Sequence, residues 1–399
     1  MADLRVDFLG VEFKNPLIVA SAEPTASFRN MEKAIEAGVG GLVTKTMTDS
    51  EAMQKMSRQT RWRYLDERHE VCRGKIPRAF SFYGRTGLEW RSPEEWAKEV
   101  ERAHELGDKE GCVVIGSIGG TTVEGWVKLA KIMEQTGVKM MELNFGCPHS
   151  SQMEDTKTGM VTGQDNELAS EIVKAVSESV SIPISIKLTP QVVDVVEMAK
   201  AVHDAGAAAV TLLNRFIGFV VNSETGKPVI LGSAGVGGPW VKPLTLRWIY
   251  EVYNKLRIPI SGTNGAYDAK DVVEFMMAGA TTVQMCSVVM ARGYGWLRKT
   301  IKESNEFLDT RGYKTAEEVI GIAAKSAMTY AEMAGFPKER AEIDEDLCTL
   351  CRKCINSCFY NALSVEKDRI VMGDCWGCGI CSCVCPEEAI TMKGGPVTE

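Results

Sequence analysis

From residue 16 to about 300, short apolar runs alternate with stretches whose apolar residues recur every three or four positions. The short runs read as strands: "PLIVASA" (16–22), "GGLVTKT" (40–46), "PRAFSFYG" (77–84) or "CVVIGSIG" (112–119), "MMELNFG" (140–146), "IPISIKLTP" (182–190), "AAVTLLN" (208–214), "IPISGTNG" (258–265) and "TTVQMCSV" (281–288). Between most of them lie amphipathic helix patterns such as "PEEWAKEVERAHELG", "ELASEIVKAVSESV", "VDVVEMAKAVHDAG" and "DAKDVVEFMMAG". Nearly continuous apolar strands separated by helices are what a parallel sheet covered on both faces requires. About eight such units across ~285 residues fit an α/β fold of the (β/α)8 TIM-barrel type better than an open doubly wound sheet. No short internal period points to a solenoid.

Beyond residue 300 the pattern changes. Residues 301–340 read as two further helices and a connector, and 341–399 are cysteine-rich. The expected organisation is therefore a barrel over 1–300, a helical connector over 301–340 and a cysteine module over 341–399. In that module Cys348, Cys351 and Cys354 stand at C-x2-C-x2-C, with Cys358 after three more residues; Cys375, Cys378 and Cys381 repeat the spacing, followed by Cys385 and Pro386. Such a run lets three thiolates of one tight loop bind a cubane, while its fourth cysteine reaches the other cluster. The spacing assigns Cys348, Cys351, Cys354 and Cys385 to one [4Fe-4S] cluster, and Cys375, Cys378, Cys381 and Cys358 to a second. Zinc would leave the fourth cysteines without a natural place, and Cys383 reads as a bystander. The tail resembles a bacterial two-[4Fe-4S] ferredoxin-like domain.

Composition narrows the classes. Of the 399 residues 45% are hydrophobic and 25% charged, which describes a globular chain with an ample core. The N-terminus lacks a basic segment leading into an apolar one, and no stretch approaches the ~18 apolar residues of a membrane span, so a cytoplasmic location and no membrane contact are expected. Thirteen cysteines there argue for metal or catalysis over disulfides. The net charge is −7, and an acidic tail repels nucleic acid. The opposite balance in "KMSRQTRWRYLDERHEVCRGKIPR" (55–78), with Trp62 and Tyr64 interleaved, reads as a surface excursion docking against an acidic domain or partner.

An electron-carrying tail implies a redox centre in the barrel, and a flavin is the natural choice. In this architecture a phosphate sits on the loops after strands seven and eight, here "SGTNGAYD" (261–268) and "CSVVMARG" (286–293). Gly262 and Gly265 would admit backbone N–H groups to it, and the following helix N-termini would favour its charge; the same glycines are equally expected in plain turns. "GSAGVGGPW" (232–240) adds a third glycine-rich loop. Lys45 and Lys187 end strands two and five, where a cation would stabilise a reduced flavin, or they are surface lysines.

"ELNFGCPH", "GQDNEL" and "KLTP" within 142–190, together with "ASAEPT" (20–25), "VTKT" (43–46) and "QMCS" (284–287), are similar to the FMN-binding barrel of the dihydropyrimidine dehydrogenase and dihydroorotate dehydrogenase family. With the cysteine tail the resemblance covers nearly the whole chain. It implies that Ala20, Ser21, Lys45, Thr46, Asn144, Lys187, Gly238, Asn264, Gly265, Cys286 and Ser287 line FMN. It implies that Asn144 and Asn214 bind substrate, and that Cys147 handles the proton while hydride moves to or from the flavin. Taken alone, Cys147 reads as a small buried hydrophobe; the chemistry asks for a group able to give a proton near neutrality. Of four histidines only His149 is near this loop.

Two positions depart from pyrimidine-processing relatives. Phe82 stands where an asparagine on the third strand faces the substrate ring, and Arg215 follows Asn214 where relatives carry a small hydroxyl residue. Both changes concern substrate, and they point to an anionic group beside a less polar ring; a carboxylate of the 151–165 loop is the alternative partner for Arg215. The expected activity is reduction or formation of a carbonyl-conjugated C=C bond in a cyclic small molecule. Without a separate dinucleotide-binding segment, the electron partner is expected to be an NAD(P)H-oxidising flavoprotein subunit or a ferredoxin, in an oligomeric assembly. The rivals are dihydroorotate dehydrogenase proper, for which Arg215 could hold the carboxylate although the fused tail argues against it, and a non-catalytic electron-transfer subunit.

Overall fold

The computed structural model describes residues 2–147 and 159–395. Eight parallel strands, β1 (Leu17–Val19), β2 (Gly41–Val43), β3 (Val113–Gly119), β4 (Met141–Asn144), β5 (Ile184–Lys187), β6 (Ala209–Leu212), β7 (Ile260–Thr263) and β8 (Thr282–Met285), pair in sequence order. The ring closes where Val283 of β8 pairs with Leu17 of β1, so no edge remains unpaired in a closed barrel. The expected TIM barrel is present.

Eight helices follow the strands in turn: α1 (Phe28–Glu36), α2 (Pro93–Glu110), α3 (Val123–Glu134), α4 (Asn166–Ser177), α5 (Val195–Asp204), α6 (Lys242–Leu256), α7 (Ala269–Ala278) and α8 (Gly295–Thr310). In α2 the apolar positions Trp96, Val100, Ala103 and Gly107 recur at helical spacing and are buried. Its start is fixed by a reciprocal cap between Ser92 and Glu95, with Pro93 in the first turn, and its end by Gly111 in the left-handed region. The buried Trp96 indole donates to the carbonyl of Lys45 at 3.0 Å, so the helix's apolar face also fixes the backbone just past β2.

Strand alternation divides the barrel differently from the near-continuous apolar reading. Met141, Leu143, Ile184, Ile186, Val210 and Val283 belong to the apolar core. The alternate positions Glu142, Ser185, Thr211, Ser261 and Gln284 are buried and bonded to one another: Thr211 to Ser185 at 3.2 Å, Thr211 to Glu142 at 2.9 Å, Gln284 to Glu142 at 2.7 Å and Gln284 to Ser261 at 3.2 Å. Polar groups in that position persist because each has a partner.

Two insertions build a second, four-stranded antiparallel sheet in the order Phe216–Gly218, Ala234–Gly237, Ser81–Arg85, Arg61–Leu65. Of the two candidates for the third barrel strand, 113–119 is the barrel strand. Phe82 therefore lies on the accessory sheet and not on the third barrel strand, its register partner being Gly237. The basic excursion is likewise more than a surface loop. Arg61–Leu65 is an edge strand whose arginines are exposed, while Trp62 stacks on Phe82 with centroids 4.6 Å apart.

The chain divides into two compact units, Met1–Lys325 and Ser326–Glu399. Helix α8 runs through residue 300, so the first half of the expected connector belongs with the barrel. In the second unit Arg340–Ile343 pairs antiparallel with Ile390–Lys393, and Leu363–Glu366 with Arg369–Met372. Two short helices, Lys353–Asn356 and Ile380–Val384, complete it. Among the described residues no helix is long and apolar enough to cross a membrane.

Candidate active site

A cavity of about 880 Å³ opens at the C-terminal ends of the barrel strands. Fifteen of the barrel residues singled out from the sequence line it: Ala20 and Ser21 after β1, Lys45 and Thr46 after β2, Phe82 from the accessory sheet, Asn144 and Cys147 at and after β4, Lys187 at the end of β5, Asn214 and Arg215 after β6, Gly238 before α6, Asn264 and Gly265 after β7, and Cys286 and Ser287 after β8. Gly262 does not, because it packs against the helices, where a Cβ would fall 2.5 Å from the Phe275 ring.

The two buried lysines are held by carboxylates. Lys45 Nζ lies 3.1 Å from Glu23 Oε1, and Thr86 donates to the same oxygen at 2.7 Å. Burial alone would raise the Glu23 carboxyl, but the Lys45 charge and the two hydrogen bonds outweigh it and hold its pKa below the ordinary value. Lys187 Nζ donates to Gln284 Oε1 at 3.2 Å and stands 3.4 Å from Glu142 Oε1. Lys187 thus joins the polar network in the barrel's centre. Glu23, Glu142, Gln284, Trp62 and Thr86 were not recognised as site residues from the sequence. Glu142 and Trp62 sit in alternating patterns, "MELN" and "RWRYL", that mark them as inward-facing.

A chain of amides crosses the cavity wall. Asn144 donates to Thr46 Oγ1 at 3.2 Å and accepts from Asn214 Nδ2 at 3.4 Å; Asn264 donates to the Asn214 carbonyl at 3.0 Å and accepts from Gly238 N at 3.4 Å. Asn264 and Gly265 both have positive φ, and a Cβ on Gly265 would fall 2.7 Å from Lys242 Cα, so the turn excludes a side chain. The helix N-terminus expected to help there is already occupied: Asp268 caps α7, Asp271 bonds back, and Lys242 pairs with Asp271 at 2.7 Å. An anion at this end would rest on the loop backbone.

Cys147 is 6% exposed and packs with Met53 and Leu88. Cys286 is pushed up to about 11 by burial and the Glu23 charge, against Arg215, Lys187 and Lys45, so it is a neutral thiol at neutral pH. Arg215 donates from Nη1 to the carbonyls of Gly84 at 3.1 Å and Gly235 at 3.3 Å. Burial pulls its pKa down while the Glu23 charge opposes this, and a guanidinium remains charged in such a position. Among the described residues no carboxylate pairs with it. Of the alternative partners, Glu154 and Asp155, like His149, lie outside the described residues, and Asp165 caps α4.

In the second unit the cysteines gather about two separate cavities. Cys358, Cys375, Cys378 and Cys381 line one of about 370 Å³, and Cys348, Cys351, Cys354 and Cys385 line the other, of about 300 Å³. Backbone N–H groups of Ala362, Gly377 and Ala389 donate to the sulfurs of Cys358, Cys375 and Cys385 at 3.3, 3.4 and 3.3 Å. Among the described residues no three Cys, His, Asp or Glu side chains converge on a single-ion position. Cys383 is exposed and lines neither cavity.

The sequence profile of a 4Fe-4S binding domain matches residues 341–364. The chain is 34% identical to the catalytic subunit of dihydroorotate dehydrogenase B (NAD(+)) of Caldicellulosiruptor saccharolyticus, across 80% of this chain and 98% of that one. It is 30% identical to the protein of the same description in Methanocaldococcus jannaschii, with the same coverage. To the NAD-dependent dihydropyrimidine dehydrogenase subunit PreA of Escherichia coli (strain K12) it is 29% identical, across 90% of this chain and 85% of that one. The profile described as dihydroorotate dehydrogenase matches residues 3–308, three quarters of the chain and the whole of the barrel that carries the cavity, and the chain belongs to that family of oxidoreductases.

Proposed function

We propose that this chain is an FMN- and iron–sulfur-dependent oxidoreductase that reduces, or in the opposite direction forms, a C=C bond conjugated to a carbonyl in a cyclic substrate. The observation that carries the reading is the convergence of residues from all but one of the barrel's strand ends on one cavity, with two buried lysines, four side-chain amides and two thiols on its wall. The glycine turn at Gly265, which excludes a side chain, and the buried Lys187 at the end of β5 fit FMN. When bound, FMN supplies hydride to one carbon of the substrate and receives electrons from the iron–sulfur module.

The chain's own groups do the rest. Asn144 and Asn214 orient the substrate through side chains fixed by their mutual bond, while Asn264 braces the Asn214 backbone from the flavin side of the site. Lys187, held by Glu142 and Gln284, is a stationary positive charge that compensates the negative charge gained on reduction. Cys147 delivers a proton from Sγ to the carbon next to the one that takes hydride, and its apolar neighbours Met53 and Leu88 keep water from competing.

Two [4Fe-4S] clusters are assigned to the two cysteine tetrads. Sulfurs spread around a cavity suit a cubane, whereas zinc needs four sulfurs about 2.3 Å from one point. Held by these cysteines, such clusters would supply single-electron transfer to or from a second subunit that oxidises NAD(P)H, or a ferredoxin, in a reducing compartment, the cytoplasm. Oxidation of dihydroorotate is the second reading, favoured by the names of two of the relatives. Anaerobic purification followed by flavin chromatography and metal analysis tests the proposal: about one FMN, eight iron and eight labile sulfide per chain are expected. Zinc in place of iron, or no flavin, would overturn it.

A further inference from the structure

Three cations line the cavity, and two of them are matched by carboxylates set outside its lining. Lys45 is matched by Glu23 and Lys187 by Glu142, while Arg215 has no carboxylate partner among the described residues. Glu23, whose charge reaches Arg215, is committed to Lys45. One positive charge on the wall is therefore unmatched, and a half-buried charge without a counter-ion is costly.

Arg215 is nevertheless built into its place. Gly84 and Gly235 face each other in register on the accessory sheet, and a Cβ on Gly235 would fall 2.7 Å from Arg215 Cζ. The missing side chain of Gly235 leaves the slot that the guanidinium occupies, and that of Gly84 leaves room for the Trp62 ring, which lies 4.9 Å from the guanidinium carbon. Both carbonyl bonds use Nη1. The opposite edge, Nε–H and Nη2–H, has no partner among the described residues. Those two parallel donors are the geometry that takes a carboxylate through two hydrogen bonds. The ring over the guanidinium carries a further donor, since the Trp62 Nε1–H is buried with no acceptor. The rest of that wall is apolar: Phe82, 2% exposed, stacks on Trp62 with planes 18° apart.

We infer that Arg215 selects a substrate carrying a carboxylate on a planar, largely apolar ring, the Nε–Nη2 edge holding the carboxylate and Trp62 and Phe82 facing the ring. The inference rests on the cavity being the flavin and substrate site proposed above. It differs from both pyrimidine readings, because the faces of the Trp62 and Phe82 rings offer no partner to the N–H groups of a uracil ring.

The test is equilibrium binding to the FMN-loaded protein, followed as perturbation of the flavin absorption band. The probes are benzoate, cyclohex-1-ene-1-carboxylate and orotate, each against its neutral carboxamide. For the wild type the two apolar acids should bind about 10- to 100-fold more tightly than their amides, the range of one charge-assisted contact. In Arg215→Met the ratio should fall to near one, and in Arg215→Lys part of it should return. Since general damage to the fold weakens acid and amide alike, the ratio reports the contact itself. A protein without FMN would fail the underlying proposal and not this one. With FMN present, a ratio near one for every acid, a ratio unchanged in Arg215→Met, or tighter binding of orotate than of either apolar acid would overturn the inference.

Discussion

Replacing Glu142 by glutamine keeps the shape of the side chain and removes one buried charge. Its carboxylate is 1% exposed, accepts from Gln284 at 2.7 Å and Thr211 at 2.9 Å, and faces Lys187 at 3.4 Å, itself 8% exposed. A glutamine amide must turn its NH₂ either toward the Lys187 ammonium or toward those two donors, and both orientations set donor against donor. Lys187 meanwhile loses its counter-ion. Breaking such a buried pair costs about 3–5 kcal/mol. At ~2 °C per kcal/mol, the lower end for large domains, Glu142→Gln should lower the barrel's melting temperature by about 6–10 °C. The assay is scanning calorimetry on flavin-loaded and flavin-stripped protein, so that weakened cofactor binding is not counted as lost stability. Glu142→Gln combined with Lys187→Met should recover most of the loss, because the stranded charge is gone. A single variant melting within about 1 °C of wild type, or a double variant no better than the single, would refute the reasoning.

Three further outcomes follow from the site. Cys147→Ala should keep stoichiometric flavin and iron yet lose turnover by about 10²–10⁴-fold, with Cys147→Ser partly active; unchanged turnover would remove the thiol from the mechanism. Cys375→Ala should carry roughly half the iron and sulfide of wild type by metal analysis while the flavin is retained, since only one tetrad is broken. The Cys286 thiol, held up to about 11, should resist iodoacetamide at pH 7–8 in folded protein and react progressively as pH rises toward 11, read by peptide mass spectrometry; full labelling at pH 7 would contradict its burial.

The barrel was legible because each strand is a short apolar run with its own boundary. The ambiguous third strand had two qualifying runs, and pairing decided between them: Ser81–Arg85 pairs with Ala234–Gly237, some 150 residues away, a choice that local propensity does not contain. The same partner explains why "SAGVGG" reads as a glycine-rich loop yet forms a strand. Trp62 and Tyr64 were hidden by their arginine neighbours, although strict alternation along 61–65 carries the signal. Glu142 and Gln284 were hidden by reading the strands as uniformly apolar. The cysteine tetrads were legible because the spacing fixes which three share a loop and the repeat supplies the fourth; the structure gathers each set around one cavity.

The accessory sheet takes two strands from the insertion after β2 and two from the insertion after β6, and the Gly84–Gly235 pair lies across the join. If Arg215 selects substrate as inferred above, that preference is a property of the seam and of neither insertion alone. Transplanting the 61–85 segment into a related barrel would bring Trp62 and Phe82 without the Gly235 slot or Arg215, and transplanting 215–237 would bring the guanidinium without its aromatic cover. In a lineage of such barrels the two insertions should therefore change together, and redesign of the pocket has to treat them as one cassette.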